Sequence, residues 1–245
     1  MTHPQAAGDH HAGHRHFHEQ LADLKQRLLD MSQRAEELID LSVEALRERD
    51  AGKAEAVIAA DGEVDALEVE IEQRAIALLA LQQPLARDLR FIIGAIKVSS
   101  DLERVGDHAV NIAQATLRLR DANAVLSPGP EIDDMARRAR KMLGDALDAF
   151  IRPDGALGRS VCRADDEVDA LEETTFRVLL TRMMESPATI SAALQLLLVS
   201  RNLERVADLA TNIGEDAVYL AEGKQIKHGL EQRQHVTTLS DKRPE

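Results

Sequence analysis

The sequence predicts an all-α protein, a tandem repeat of two three-helix bundles with six long antiparallel helices. Three observations carry this. Ala, Leu, Glu and Arg dominate, aromatics make up only 2% and Trp is absent, so helix formers abound and strand-favouring clusters are scarce. Apolar residues recur at helical spacing from Phe17 onward, as in Leu21, Leu24, Leu28 and Met31. Finally, two long segments of the first half return in the same order in the second.

The first of these, Ala60-Asp-Gly-Glu-Val-Asp-Ala-Leu-Glu68, reappears as Ala164-Asp-Asp-Glu-Val-Asp-Ala-Leu-Glu172, differing only where Gly62 becomes Asp166. Further on, Leu102-Glu-Arg-Val-Gly-Asp-His-Ala-Val-Asn-Ile112 returns as Leu203-Glu-Arg-Val-Ala-Asp-Leu-Ala-Thr-Asn-Ile213. Matches of this length exceed what shared composition produces, and they define the repeated unit.

The elements follow in order. Residues 1–16 hold His3, His10, His11, His14 and His16 among Gly, Ala and Pro without an apolar period, which predicts a disordered tail. Such a tail is either simply solvated or a collector of divalent metal. The first unit, 17–122, is cut by Asp50-Ala-Gly52 and by Gln82-Gln-Pro84. Ser127-Pro-Gly-Pro130 separates it from the second, 129–224, which is cut by Pro153-Asp-Gly155 and Ser186-Pro187. Residues 225–245 read as a flexible C-terminal tail.

Charge and cysteine usage narrow the function. A net charge of −13 repels nucleic acid and anionic lipid, so no nucleic-acid partner is expected. The lone Cys162 cannot close an internal disulfide and no signal peptide opens the chain, which points to the reducing cytoplasm. The longest apolar runs, Phe91 to Val98 and Ile190 to Val199, fall short of the ~20 residues of a spanning helix, so no membrane insertion is expected.

The residues that carry chemistry are acids. Glu103, Asp107 and Asn111 stand at i, i+4 and i+8 of the third helix, and Glu204, Asp208 and Asn212 repeat the pattern in the sixth. Leu102, Val105, Ala109 and Ile112 form an apolar stripe on the other side, so the acids should point outward. Asp61 with Asp65, and Asp165 with Asp169, form i, i+4 pairs on the neighbouring helices, followed by Glu68 and Glu172. Packing such oxygen ligands together is unfavourable unless a hard cation neutralises them, so divalent or ferric ions are the candidates, with magnesium, calcium, manganese, iron and zinc all open.

The bland alternative is a structural helical adaptor with solvated acidic faces, in which Arg104 or Arg205 pairs with nearby acids for under ~1 kcal/mol. Against it, the same faces are apolar upstream, at Ile93 and Ile96 and at Leu194 and Leu197, and so begin as packed surface. His108 is matched by Leu209 and cannot be a shared ligand. No phosphate loop, dinucleotide turn, nucleophile elbow or His-Glu-x-x-His pair is present, so the chain is read as a non-enzyme, a surface metalloenzyme being the remotest alternative.

Together, Leu102-Glu-Arg-Val-Gly-Asp107, Leu203-Glu-Arg-Val-Ala-Asp208, the approach segment Gln83-Pro-Leu-Ala-Arg-Asp-Leu-Arg90 and the paired Asp-x-x-x-Asp segments resemble the PhoU family over about residues 17 to 228. The resemblance implies two three-helix bundles that hold metal ions at the surface, on Glu103 with Asp107 and on Glu204 with Asp208. Asp61, Asp65, Asp165 and Asp169 are the implied partner ligands, and Asn111 and Asn212 further candidates. It also implies a negative regulator of phosphate uptake and of the phosphate-starvation response, whose partners are the ATPase subunit of the phosphate ABC transporter and its sensor histidine kinase. A homodimer is expected. The His-rich N-terminus departs from the family pattern, and Leu209 is expected to make the second site less hydrophilic.

Overall fold

The computed structural model describes residues 6–121 and 126–226. Six α-helices account for almost all of them: α1 Ala6–Glu48, α2 Ala51–Gln82, α3 Ala86–Asp121, α4 Pro130–Ile151, α5 Gly155–Glu185 and α6 Ile190–Glu222, with a short 3₁₀ turn, Pro187–Thr189, before α6. No strand occurs among the described residues, and no helix there is long and apolar enough to cross a membrane.

The breakers act through identifiable local chemistry. Asp50 accepts from the Lys53 backbone N–H and caps α2, and Asp154 accepts from those of Ala156 and Leu157 and caps α5. Each satisfies donors that a helix start leaves without an intrahelical partner. Pro130 opens α4, where its missing N–H costs nothing, and Gly223 ends α6 in the left-handed conformation at φ 71°. Gln83 takes the same left-handed conformation, at φ 46°, to end α2 before Pro84.

Two boundaries differ from the sequence expectation. Helix α1 starts at Ala6, within the stretch expected to be a disordered tail, because extending an existing helix adds one hydrogen bond per residue fixed without a new nucleation cost. Residues 1–5 lie outside the described residues. The chain divides into compact units Met1–Gln114 and Ala115–Glu245, so the division falls inside the uninterrupted α3 rather than at Ser127-Pro-Gly-Pro130. Most of the expected C-terminal tail, residues 227–245, also lies outside the described residues.

Within the first unit, Leu24, Leu28, Met31 and Leu38 of α1, Val57, Val64 and Ile71 of α2, and Leu102, Val105, Ala109 and Ile112 of α3 are buried. The seven-residue spacing of Val57, Val64, Ile71 and Leu78 is a coiled-coil-like seam, narrow enough to leave the flanks of α2 exposed. Within the second unit, Leu143 and Phe150 of α4, Val161 and Val168 of α5, and Leu196, Leu203, Val206 and Ile213 of α6 form the core. Truncating any one of these large aliphatic side chains to Ala costs about 2–5 kcal/mol. Buried hydroxyls are satisfied within their own helices at Ser42, Ser99, Thr175 and Ser200, as where the Thr175 hydroxyl donates to Leu171 O at 2.8 Å.

Candidate metal-binding faces

In the first unit, the apolar stripe of α3 fixes which way its acids point. Leu102, Val105, Ala109 and Ile112 are fully buried, so Asp107 and Asn111 are exposed and Glu103 is half-buried at the edge. On α2, Asp65 is exposed while Asp61 and Glu68 are half-buried. The two helices meet at Gly106, where an added Cβ would stand 3.0 Å from Asp61 Oδ1 and 3.6 Å from Val64 Cγ1. Burial, and then the charges of Asp107, Glu68, Asp65 and Asp61, raise the Glu103 carboxyl above its ordinary value. Burial, followed by Asp65 and Asp107, raises Asp61 likewise. Carboxylates of α2 and α3 therefore share one electrostatic environment.

The second unit repeats the arrangement with deeper acids. Asp165, Glu204, Asp208 and Asn212 are half-buried, and Asp169 is exposed. Burial, then Asp169, Asp208, Glu204 and Asp166, pushes the Asp165 carboxyl up to about 6. Burial also leads in raising Asp169, with Asp208 next. Glu204 is raised by burial and Asp208, against a smaller opposing effect of Arg205. Among the described residues Asp165 Oδ1 and Glu204 Oε2 are buried oxygens without a hydrogen-bond partner, and for Asp165, which has no ion pair either, this is a costly condition that a cation would relieve.

The two units treat their arginines differently. Arg205 Nη1 donates to Asp208 Oδ2 at 3.0 Å, and its Nε lies 3.6 Å from Glu204 Oε2, so it competes with any cation for this face. Arg104 instead faces Asp101 at 3.8 Å. Burial, and then the charge of Glu215, pushes the Cys162 thiol up to about 11, so without metal it stays protonated at neutral pH.

Among the described residues no three Asp, Glu, His or Cys side chains converge into a preformed metal cage. The donor set still fits a hard cation in kind, being all carboxylate and carboxamide oxygen with two unsatisfied oxygens in the second unit. Sequence reasoning left Asp166 out of the set; its signal is the single Gly62-to-Asp166 difference between the repeats. Leu209 corrects an expectation, because it is 6% exposed and belongs to the core, so it does not make the second face less hydrophilic. Of the upstream apolar residues, Ile93 and Leu194 are not packed surface, being 44% and 49% exposed, whereas Ile96 and Leu197 are half-buried.

The PhoU domain model matches residues 28–116 and 132–217, one match for each repeat. The chain belongs to the PhoU family. Among PhoU relatives, the phosphate-specific transport system accessory protein PhoU homolog of Aquifex aeolicus is 40% identical over 209 residues, covering 85% of this chain and 94% of its own. The Caulobacter vibrioides PhoU homolog is 38% identical over 224 residues, covering 91% and 96%. The crystal structure of PhoU from Pseudomonas aeruginosa superimposes with a TM-score of 0.81 at 36% identity, covering 85% of this chain and 100% of that one. The phosphate transport system regulatory protein PhoU from Streptococcus pneumoniae gives 0.80 at 31% identity, covering 86% and 99%.

Proposed function

We propose that this chain is an accessory protein of phosphate-specific transport that restrains uptake and the phosphate-starvation response when phosphate is plentiful. The observation that carries the reading is the PhoU domain matched in both repeats, together with relatives, aligned over most of this chain, whose names make them accessory proteins of the phosphate-specific transport system. The protein acts by binding and not by catalysis, and a chain of that kind regulates only through different affinity for two states of its partner. Its partners are the ATPase subunit of the phosphate transporter and the cytoplasmic part of the sensor histidine kinase, met in the cytoplasm by a homodimer. Glu103, Asp107, Asp61, Asp65 and Asn111 hold one metal site, and Glu204, Asp208, Asp165, Asp169 and Asn212 the other. Bound cations neutralise carboxylates that otherwise raise one another's proton affinity.

The test is a phosphate-starvation reporter measured in rich phosphate. Deletion should leave the reporter on and the wild-type gene should turn it off; equal output from the two strains rejects the assignment. A second reading, a metal-free helical adaptor, is favoured by the pairing of Arg205 with Asp208. Metal content of protein purified without added metal and lacking residues 1–16 separates the two.

A further inference from the structure

The outer face of α5 and α6 in the second unit is apolar over half its length and acidic over the rest. Phe176, Leu180 and Met184 of α5 are 48%, 43% and 79% exposed, and Ile190, Leu194 and Leu198 of α6 are 42%, 49% and 47% exposed. Each trio stands at i, i+4 and i+8 and so forms a row along its helix. At the end of the rows nearer the acids lies an open groove of about 420 Å³, whose lining includes Phe176, Leu194, Leu197 and Leu198 but not Leu180, Met184 or Ile190. Glu172 and Arg201 stand at its far end, and beyond them lie Asp169, Asp165, Asp166, Glu204 and Asp208.

The internal repeat supplies a control for how unusual this face is. Aligned through the two repeated segments, Phe176, Leu180 and Met184 correspond to Glu72, Ile76 and Ala80, and Ile190, Leu194 and Leu198 to Leu89, Ile93 and Lys97. At these six places the first unit keeps only Ile76, Leu89 and Ile93 as large apolar groups and breaks its rows with Glu72 and Lys97, while its exposed Leu81 and Leu85 stand apart, at the end of α2 and in the turn to α3. The same scaffold thus folds with charges at these places, and the fold does not require Phe176 or Leu198. A contiguous exposed apolar surface with a polar rim marks a contact site. The groove also holds a buried acceptor, Gln195 Oε1, that finds no hydrogen-bond donor among the described residues.

We propose that this groove docks an amphipathic helix of a partner protein, with apolar side chains along its middle and Lys or Arg at the end that meets the acids. Two antiparallel helices with apolar rows form the walls that a third helix fills through residues at i, i+3, i+4 and i+7. The sign of the occupant follows from charge complementarity. Six carboxylates stand at or beyond one end of the groove against Arg201 and Arg205, and a divalent ion would offset only two of them. A second copy of this chain, at net charge −13, has the wrong sign for that end. The inference rests on reading the protein as one that works by binding partners.

The test uses a fluorescein-labelled helical peptide of ~18 residues with a leucine stripe and a lysine cluster at one end, titrated against the full chain by anisotropy. A scrambled peptide, and one with glutamates in place of the lysines, are the comparisons. The expected result is binding of the lysine-ended peptide alone, weakened by salt. Phe176→Glu with Leu198→Lys, which installs the residues of the first unit, should weaken it at least about tenfold. Leu194→Gln should weaken it too, while Ile76→Glu with Ile93→Lys in the first unit should leave it within about twofold. Unchanged binding by the Phe176→Glu/Leu198→Lys chain, or equal binding of the glutamate-ended peptide, overturns the proposal. So does a dimer in sedimentation that this variant dissociates, because the face is then covered by a second copy. Expressed in the deletion strain, the variant should fail to restore repression; if the wild type restores it and the variant does so equally, this face is not the docking surface while the regulatory reading stands. Failure of the wild type to restore repression strikes the regulatory reading alone, and the titration still decides the groove.

Discussion

Gly106 on α3 stands so close to Asp61 on α2 that a Cβ at Gly106 would lie 3.0 Å from Asp61 Oδ1. The obstructing atom is the end of a side chain, which can rotate away. In a helix interior Ala is favoured over Gly by about 1 kcal/mol, and Ala207 occupies the matching place in the second unit while fully buried. Gly106→Ala should therefore keep or raise stability, by up to about 1 kcal/mol, and displace the Asp61 carboxylate. Urea unfolding checks the first part and metal titration the second; a loss of stability would mean that Asp61 cannot move.

Gly158 is expected to behave in the opposite way. A Cβ there would stand 2.5 Å from the backbone oxygen of Gly214, where α5 and α6 cross, and no side-chain rotation relieves a clash with backbone. Gly158→Ala should cost about 1–3 kcal/mol despite its better helix propensity, because the helices must separate. The urea midpoint should fall with little change in slope.

These two glycines mark the limit of what the sequence discloses. The repeat, the six helices and the buried stripe Leu102, Val105, Ala109 and Ile112 are legible because periodicity is a property of one helix at a time. The closeness of Gly158 to Gly214 is a distance between helices and leaves no mark on either alone. The same holds for the acids: spacing puts Asp61 and Asp65 on nearly one face, but only packing against α3 makes Asp61 half-buried and leaves Asp65 exposed. Spacing also cannot tell that Arg205 turns to Asp208 whereas Arg104 turns to Asp101. The burial of Leu209 is not legible for a related reason, since a residue at the edge of a stripe is assigned to core or surface by its neighbours.

The acid faces set a pH dependence. In the metal-free protein Asp165 is pushed up to about 6 from an ordinary value of 3.8, and Asp61, Glu103, Asp169 and Glu204 are raised as well. Between those values the folded chain binds more protons than the unfolded one, so this contribution to stability falls as pH rises through the window. Glu37, which accepts from Gln33 and Arg34, is held below its ordinary value, and its contribution is lost only at more acid pH. Melting temperature in chelator should therefore rise as pH is lowered from about 7 towards 5. Asp165→Asn should raise it at neutral pH and flatten the profile; a steeper profile would contradict the assignment.

Removing ligands tests the faces one at a time. Glu103→Ala with Asp107→Ala should abolish metal binding in the first unit and leave the second unit loaded. Elemental analysis of protein lacking residues 1–16 reads this directly, and unchanged metal per chain would show that these two residues are not ligands. Neither side chain belongs to the core, so stability without metal should hold or rise as like-charge repulsion is relieved.

The strongest test of the acid faces joins metal to regulation. If cations on these faces help the protein hold one state of its partner, losing the ladders must weaken restraint more than it weakens folding. The variant carrying Ala at Glu103, Asp107, Glu204 and Asp208 should keep its helical spectrum, because these side chains stand outside the core. Returned to a deletion strain in rich phosphate, it should leave the starvation reporter well above the wild-type level. Arg205 loses its partner Asp208 in this variant, so Arg205→Gln in the otherwise wild-type chain is the matched control for a lost ion pair. Such an exposed pair is worth at most about 1 kcal/mol, and its loss alone should leave repression intact. Full repression by the four-acid variant would separate the ladders from the regulatory role, and loss of repression with Arg205→Gln would place the effect in the arginine instead of the acids.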